Sequence, residues 1–457
     1  MYNFDYSYTF YFPDYVRDED FGTGLGTENW PFNPELKVKD TGDLGFFQAM
    51  RFTSSDTGWV EDNAPQLNYH ITNKRPTGAY FYYVNLDANR LGQLDFFCSA
   101  FRRDSGYMTW QLPADVAEDV AVGRCKIVLD NSLEGFPDNS FHWDVFYERT
   151  KLKPENFIFV TGDYSLSTSA SIPTVYRNSW ERSMSYAMDH PNICDYWKHR
   201  FYKNAADSFE RPYKALALNR LMRPHRIMIA KLINDRGLAD DINYSFGIVT
   251  HHGSNEDDAV NRNHKAKNNI IAGTARLFKL PVATVDDFVD EHGEKNISQE
   301  PDLNLHVNQA INYEDQLVRA YNESYFSLVA ETNFQQNTLF QSEKIFKPVL
   351  MQQPFVTAAE PGAIRALRTM GYDVYDDFIN HSYDDLEDPH DRMFELFNEV
   401  ERLCALSTDE WKRIRKAMLP RTQVNLTHLA NAHFRCNELH EPIYRGACIV
   451  SPSHHKK

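Results

Sequence analysis

The sequence predicts an α/β protein of two domains, and three observations support that reading. Apolar segments of strand length alternate with amphipathic segments of helix length from about 113 to 163, and again from 214 to 406. A polar, aromatic and irregular stretch at 176–212 separates the two runs. Apolar residues are 42% of the 457 and aromatic residues 14%, so the chain can bury real cores and global disorder is not expected. The expected division is 1–205 for a first α/β domain, 206–440 for a second, and 441–457 for a C-terminal tail ending in the polar SPSHHKK.

Within the first domain, residues 1–60 read as short aromatic strands and turns, and GTGLGTENWPFNP as a loop. Apolar clusters in 78–102 suit sheet strands. A helix is expected from about Pro113 to Gly123, then a strand over Cys125–Leu129 that ends at Asp130 and Asn131. A helix near 140–150 and the strand NFIFVTGD at 156–163 follow. Polar residues just past strand C-termini are where ligands meet parallel sheets, although the same residues are ordinary turn formers.

The second domain opens with KALALNR (214–220), a strand delivering Asn219 and Arg220 at its exit. RPHRIMIAKLINDRGLADD has a proline at the helix start, Pro224, an apolar stripe, and a stop at Gly237. NYSFGIV (243–249) reads as a strand, and 251–310 as polar with several surface helices. YFSLVAET (325–332) is a buried strand with a polar end, SEKIFKPVLMQQ (342–353) a helix, PFVTAA (354–359) a strand and PGAIRALRTMGY (361–372) a helix. DVYDDF (373–378) is expected as a short strand running into an acidic loop. Helices are expected over 388–406 and 408–435, the latter kinked or broken at Pro420.

Charge narrows the function classes. The net charge is −16, from 48 Lys and Arg against 64 Asp and Glu, which argues against a general grip on nucleic-acid backbone. The six cysteines are scattered without a CxxC pair, so neither a disulfide framework nor a zinc site is expected. The N-terminal segment shows no basic leader followed by an apolar core, and no stretch reaches the roughly 18 apolar residues of a membrane span. A cytoplasmic protein is expected. His251 and His252 invite a metal reading, but adjacent histidines point apart on regular backbone, and no metal site is expected.

The strongest chemical signal lies in 325–372. Ser342 is placed as an N-cap, with Glu343 and Lys344 in the first helical turn, where free amides favour an anion. A lysine gains nothing from that end of a helix, so Lys344 is read as a phosphate ligand or as a partner of Glu331 across the loop. Glu331 and Glu343 have paired oxygens suited to ribose hydroxyls. For Lys344 and Lys347 a plain solvated helix face is the alternative. At the other strand exit, Asn219, Arg220, Arg223, His225 and Arg226 gather cations near helix amides, a plausible diphosphate site, with interdomain bridging as the alternative. Neither GxxxxGK[ST] nor a convincing GxGxxG is present.

The run ETxF…SEKIFKPVLMQQPF…PG…LRTMGY, followed by HSYDDLEDPHDR, resembles the donor-binding half of GT-B glycosyltransferases. It is most similar to a bacterial and bacteriophage group distantly like α-1,3-fucosyltransferases. KALALNRLMRPHR resembles the opening of that half, and over the first 200 residues the likeness rests on KIVLDNSLEGF and NFIFVTGD. The resemblance implies two Rossmann-like domains facing an interdomain cleft and a UDP- or GDP-sugar as co-substrate, with no tightly bound cofactor or metal. It implies that Glu331 and Glu343 contact ribose or donor sugar, that Lys344 neutralises diphosphate, that Ser342 caps the helix beside it, and that Arg220 or Arg226 assists the departing diphosphate. The acidic run Tyr383-Asp384-Asp385 also recurs in the group, with no role derivable from sequence.

Glycosyl transfer with inversion needs a base beside the acceptor. Glu134, Asp130 and Asp163 are candidates near strand exits of the first domain, and Glu134 is preferred because LEGF exposes a carboxylate in a turn. With retention no dedicated base is required. The acceptor class stays open between a glycan, a small metabolite and a hydroxylated DNA base, the last disfavoured by the net charge. A non-catalytic carbohydrate-binding or structural protein, favoured by the aromatics, and another nucleotide-sugar-using enzyme are the competing readings.

Overall fold

The computed structural model describes residues 7–11, 68–72, 75–85, 114–131, 152–165, 174–176, 178, 180–181, 184–185, 210–219, 221–247, 256–293, 320–335 and 338–432. The chain divides into two compact units, residues 1–183 with 431–457, and residues 184–430. The expected helix near 140–150 and the C-terminal tail lie outside the described residues.

Among the described residues the first unit has six strands: β1 (Ser7–Tyr11), β2 (Asn68–Thr72), β3 (Tyr80–Asn85), β4 (Cys125–Asn131), β5 (Phe157–Thr161) and β6 (Thr174–Tyr176). They form one sheet in the order β2-β1-β3-β4-β5-β6, with every neighbouring pair parallel. The helix expected before β4 is α1 (Ala114–Ala121). Gly123 turns the chain out of it at φ +74, a left-handed conformation that glycine adopts without strain. Asp119 of α1 is buried and accepts hydrogen bonds from Tyr80 Oη at 2.7 Å and Arg75 Nη2 at 2.7 Å, and also from Arg124. Burial alone would raise the pKa of this carboxyl, but these donors hold it down at about 2.

The second unit has a four-stranded sheet of β7 (Tyr213–Ala217), β8 (Ile242–Tyr244), β9 (Ser324–Ala330) and β10 (Phe355–Ala358). Its order is β10-β9-β7-β8, all parallel, so the chain reverses direction across the sheet between β7 and β9. Every residue of β9 is buried, which requires cover on both faces of the sheet. Between β7 and β8 lies α2 (Pro224–Asp235). Pro224 is its first residue, and Gly237, at φ +68, follows its C-cap as expected. The polar stretch after β8 contains α3 (Glu256–Leu277) and α4 (Val282–His292), which pack on each other and on α2. Then come α5 (Glu343–Leu350), α6 (Ala363–Thr369), α7 (Pro389–Cys404) and α8 (Thr408–Ala430). In α5 the buried Ile345, Phe346, Val349 and Leu350 recur at helical spacing, and this face packs on β9, β10 and α8.

Three expectations require correction. Among the described residues of NYSFGIV, Asn243 and Tyr244 belong to β8 and Phe246 makes an isolated bridge, while Ile248 and Val249 lie outside them. Beyond β8, Ser245 and Gly247 donate backbone N–H bonds to the carbonyls of Ala217 and Asn219 just past β7. DVYDDF is not a strand. The Asp373 carboxylate accepts the Tyr375 N–H at 2.9 Å and Tyr375 turns to φ +67, while Arg421 and Asn425 of α8 hold Asp373 in that fold. An aspartate that bonds backbone two residues ahead competes with the extended form that alternation suggests. Lastly, α8 continues through Pro420, so of the kink or break expected there the break does not occur. Trp411 and Met418 before the proline, and Thr422, Asn425, Leu426 and Leu429 after it, are buried, so packing on both sides overrides the missing N–H.

One edge strand of this sheet, β10, is covered by side chains from a later loop. The Thr357 N–H donates to Tyr383 Oη at 3.2 Å, and His381 Nε2–H donates to the Val374 carbonyl at 2.8 Å. The other imidazole nitrogen, Nδ1, must then accept the Tyr383 hydroxyl proton, at 2.8 Å. Among the described residues no helix is long and apolar enough to cross a membrane.

Candidate functional site

In an open parallel sheet, neighbouring strands whose connections leave in opposite directions open a crevice at their carboxyl ends. That point in the second unit lies between β7 and β9, with Leu216 opposite Ser327, and both expected clusters sit there.

On the β7 side, the backbone of Asn219 is fixed by Gly247 N–H at 2.9 Å and by its own N–H to Ser245 Oγ at 2.8 Å. Its side chain is 1% exposed, and among the described residues neither Oδ1 nor Nδ2 has a hydrogen-bond partner. Arg226, in the first turn of α2, is also buried. Its Nη1 donates to the Leu221 carbonyl at 3.1 Å, Nη2 makes only long contacts of 3.4 and 3.5 Å to the Ala330 and Glu331 carbonyls, and Nε has no partner among the described residues. Burial and the Arg223 cation lower its pKa to about 10, so it stays charged at neutral pH. Arg223, the N-cap of α2, donates to the Thr332 carbonyl at 3.0 Å and supplies no side-chain cap.

His225 is the link across the crevice. Its Nε2–H donates to the Glu331 carbonyl at 2.9 Å, and its ring stacks on Phe334 at 5.4 Å. Burial, then the Arg226 and Arg223 cations, push its pKa well below the ordinary range, so the imidazole is neutral. Phe334 also meets Arg392 of α7, whose guanidinium lies 4.5 Å from the ring centre. Arg392 is buried and donates to the carbonyls of Phe334, Ala359, Leu386 and Glu387. One side chain thereby fixes the segments leaving β9 and β10.

On the β9 side, the buried Glu331 carboxylate accepts the Ser342 N–H at 3.2 and 3.3 Å, the Ser342 hydroxyl, and the Thr332 N–H at 3.1 Å. Burial raises its pKa even so. Ser342 is the N-cap of α5, its Oγ accepting the Lys344 N–H at 3.3 Å. Lys344 Nζ donates to Glu343 Oε1 at 2.8 Å and to Thr332 Oγ1 and Ser342 Oγ, each at 3.1 Å, so it reaches Glu331 only through Ser342. Burial disfavours the Glu343 carboxylate, yet the Lys344 and Lys347 cations outweigh it and hold its pKa at about 2.

Asn219, Arg223, Arg226, Glu331, Ser342, Glu343, Lys344 and Lys347 thus lie on the two elements that border the crevice, with four cations against two carboxylates. Arg220, Glu134, His251 and His252 lie outside the described residues. Asp130 belongs to the other unit, where it is the penultimate residue of β4, opposite Asn85 and Val160. Asp163, also there, accepts both the N–H and the hydroxyl of Ser165, a local turn. Asp388, His390 and Asp391 bring ligand atoms within 4.8 Å of one another, but Asp388 caps α7 and pairs with Lys279.

Phe334, Arg392 and Asp384 were not singled out for the parts they play. Asp384 is buried, and its Oδ1 and Oδ2 accept the N–H groups of Ile364 and Arg365 at 3.0 and 3.1 Å. It caps α6, whose own N-cap, Gly362, has no side chain to do so. The acidic run therefore has a structural reason. Asp385 is exposed and contributes only a 3.6 Å surface pairing with Arg365.

Fold and site together define a mixed α/β protein on parallel sheets, compatible with a Rossmann-like architecture, with a cationic cluster at the carboxyl ends of its four-stranded sheet. No protein-family model and no curated protein matches the chain.

Proposed function

We propose that this chain is a GT-B-type glycosyltransferase, two Rossmann-like domains facing a cleft, that moves a sugar from a nucleoside-diphosphate donor to a hydroxyl acceptor. The observation that supports it most is the Asn219 side chain, buried without partners among the described residues and followed in the chain by Arg223 and Arg226. A buried amide without partners is rare enough to need a reason, and a polar ligand is a sufficient one. In this reading Arg226 and Lys344, with Lys347 behind, take up the negative charge that grows on the departing diphosphate, which needs no metal. Glu134 or Asp130 serves as the base on the acceptor side if configuration inverts. UDP- and GDP-sugars are the first donors to try, and a glycan or a small metabolite is favoured over DNA as acceptor because of the −16 net charge.

The test is calorimetric titration of the protein with UDP, GDP, CMP and dTDP and their sugars, beside Lys344→Ala. One nucleotide should bind selectively, and the variant should bind it at least about ten-fold more weakly while keeping its fold. A well-folded protein that binds none of them overturns the reading.

A further inference from the structure

We infer that Glu343 is a built-in counter-anion that fills the place of the diphosphate while the site is empty and must withdraw from Lys344 when the ligand arrives. The inference rests on the proposed donor site but gives Glu343 a role opposed to that of a ribose ligand.

Four features of the molecule lead to it. The ammonium of Lys344 is fully occupied, its three donors meeting Glu343, Thr332 and Ser342. Glu343 is the first residue of α5, where the unpaired amides of an eight-residue helix favour negative charge, and Lys347 stands one turn further on. The carboxylate thus sits between two lysines at a helix start, which is the environment a phosphate group would choose. Glu331 is otherwise engaged in hydrogen bonding, its carboxylate committed to the Ser342 N–H and hydroxyl, so the Lys344 cation acts on it through space rather than through a direct bond. By contrast, Asn219 and Nε of Arg226 at the end of β7 lack partners among the described residues. The crevice is therefore unequal: its β9 wall is internally neutralised by a mobile-length side chain, and its β7 wall is left with unmet hydrogen-bonding capacity. An incoming dianion can accept from Nδ2 of Asn219 and Nε of Arg226, and it competes with Glu343 for Lys344.

Repulsion between a resident carboxylate and an arriving dianion weakens binding, so neutralising the carboxylate should strengthen it. The experiment is calorimetry of the full chain and of Glu343→Gln with inorganic pyrophosphate and with UDP and GDP. Glu343→Gln should bind pyrophosphate about ten-fold more tightly, with the nucleoside diphosphate strengthened alongside and its base preference unchanged. Glu343→Asp, whose shorter arm loosens the contact with Lys344, should fall between the two and covers the case in which Glu343→Gln folds poorly. Pyrophosphate binding that is unchanged or weaker in both variants overturns the inference, as does a loss confined to the nucleoside diphosphates, which would make Glu343 a ribose ligand. Those outcomes leave the donor reading intact if the wild type binds a nucleotide. A wild type that binds no nucleotide, beside a variant that gains pyrophosphate, would remove the donor reading and keep the counter-anion.

Discussion

An amide buried without partners lowers the stability of the protein that contains it, by about 1–3 kcal/mol. Asn219 is in that position among the described residues, and the burden falls on the ligand-free form alone if a ligand completes its bonding. Replacement by the similarly sized, apolar leucine separates the two states. Asn219→Leu should leave the ligand-free melting temperature unchanged or raised, by about 1 kcal/mol of stability, and should abolish the thermal shift that a bound nucleotide gives. A clear drop in ligand-free stability would mean that the amide has structural partners and is no ligand group. Asn219, Arg226 and Lys344 were legible in the sequence because their signal is local: a polar residue follows an apolar strand, or a cation stands at a helix start. Phe334 and Arg392 were not, because the ring contact between them joins residues 58 positions apart, and no short window shows that a helical arginine will point inward.

At the scale of elements the same distinction holds. The starts of α2 and α5 were readable, because Pro224 and Ser342 act on their own helix within a few residues. The cap of α6 was not, since it comes from Asp384, some 20 positions later in the chain. This borrowed cap is testable. Asp384→Ala should destabilise the protein by about 1–2 kcal/mol in urea unfolding, whereas Asp385→Ala, at an exposed pairing, should change it by less than about 0.5 kcal/mol. Equal effects at the two positions would dismiss the capping role. Segment 373–378 and Pro420 were misread for a related reason: each obeys its local rule until a partner, α8 for the first and the buried face of α8 for the second, makes another conformation better.

For the whole molecule, the −16 net charge and the cations of the crevice have opposite signs, so the acid response is not set by overall repulsion alone. Glu343 is held at about 2 in the folded protein against an ordinary value of 4.5, a depressed carboxyl. Its stabilising contribution, up to about 3 kcal/mol, is present above pH about 4.5 and is lost as pH falls through the folded value. Glu331 and Asp384 are raised by burial, so their contribution has the other sign, present at low pH and lost as pH rises through their folded values. Urea midpoints between pH 5 and 3 should therefore fall for the wild type and fall less steeply for Glu343→Gln. Parallel slopes would show that Glu343 is not depressed. The parallel sheets themselves were foreseeable from strand–helix alternation, which makes side-by-side strands with crossovers the economical arrangement. The order β10-β9-β7-β8 was not, because alternation does not say which side of β7 each later strand will join.

The hydroxyl of Tyr383 has a bearing on how the sheet ends. A strand at the margin of a sheet displays amides that can recruit an extended segment from another molecule and so seed aggregation. Strand β10 is only four residues long, and its Thr357 amide is already bound by a side chain from the chain's own later loop. A foreign strand approaching that margin would have to evict Tyr383, and with it the proton that His381 accepts. The tyrosine is therefore a stopper against sheet growth, a safeguard placed on the margin next to the segments that Arg392 holds in place.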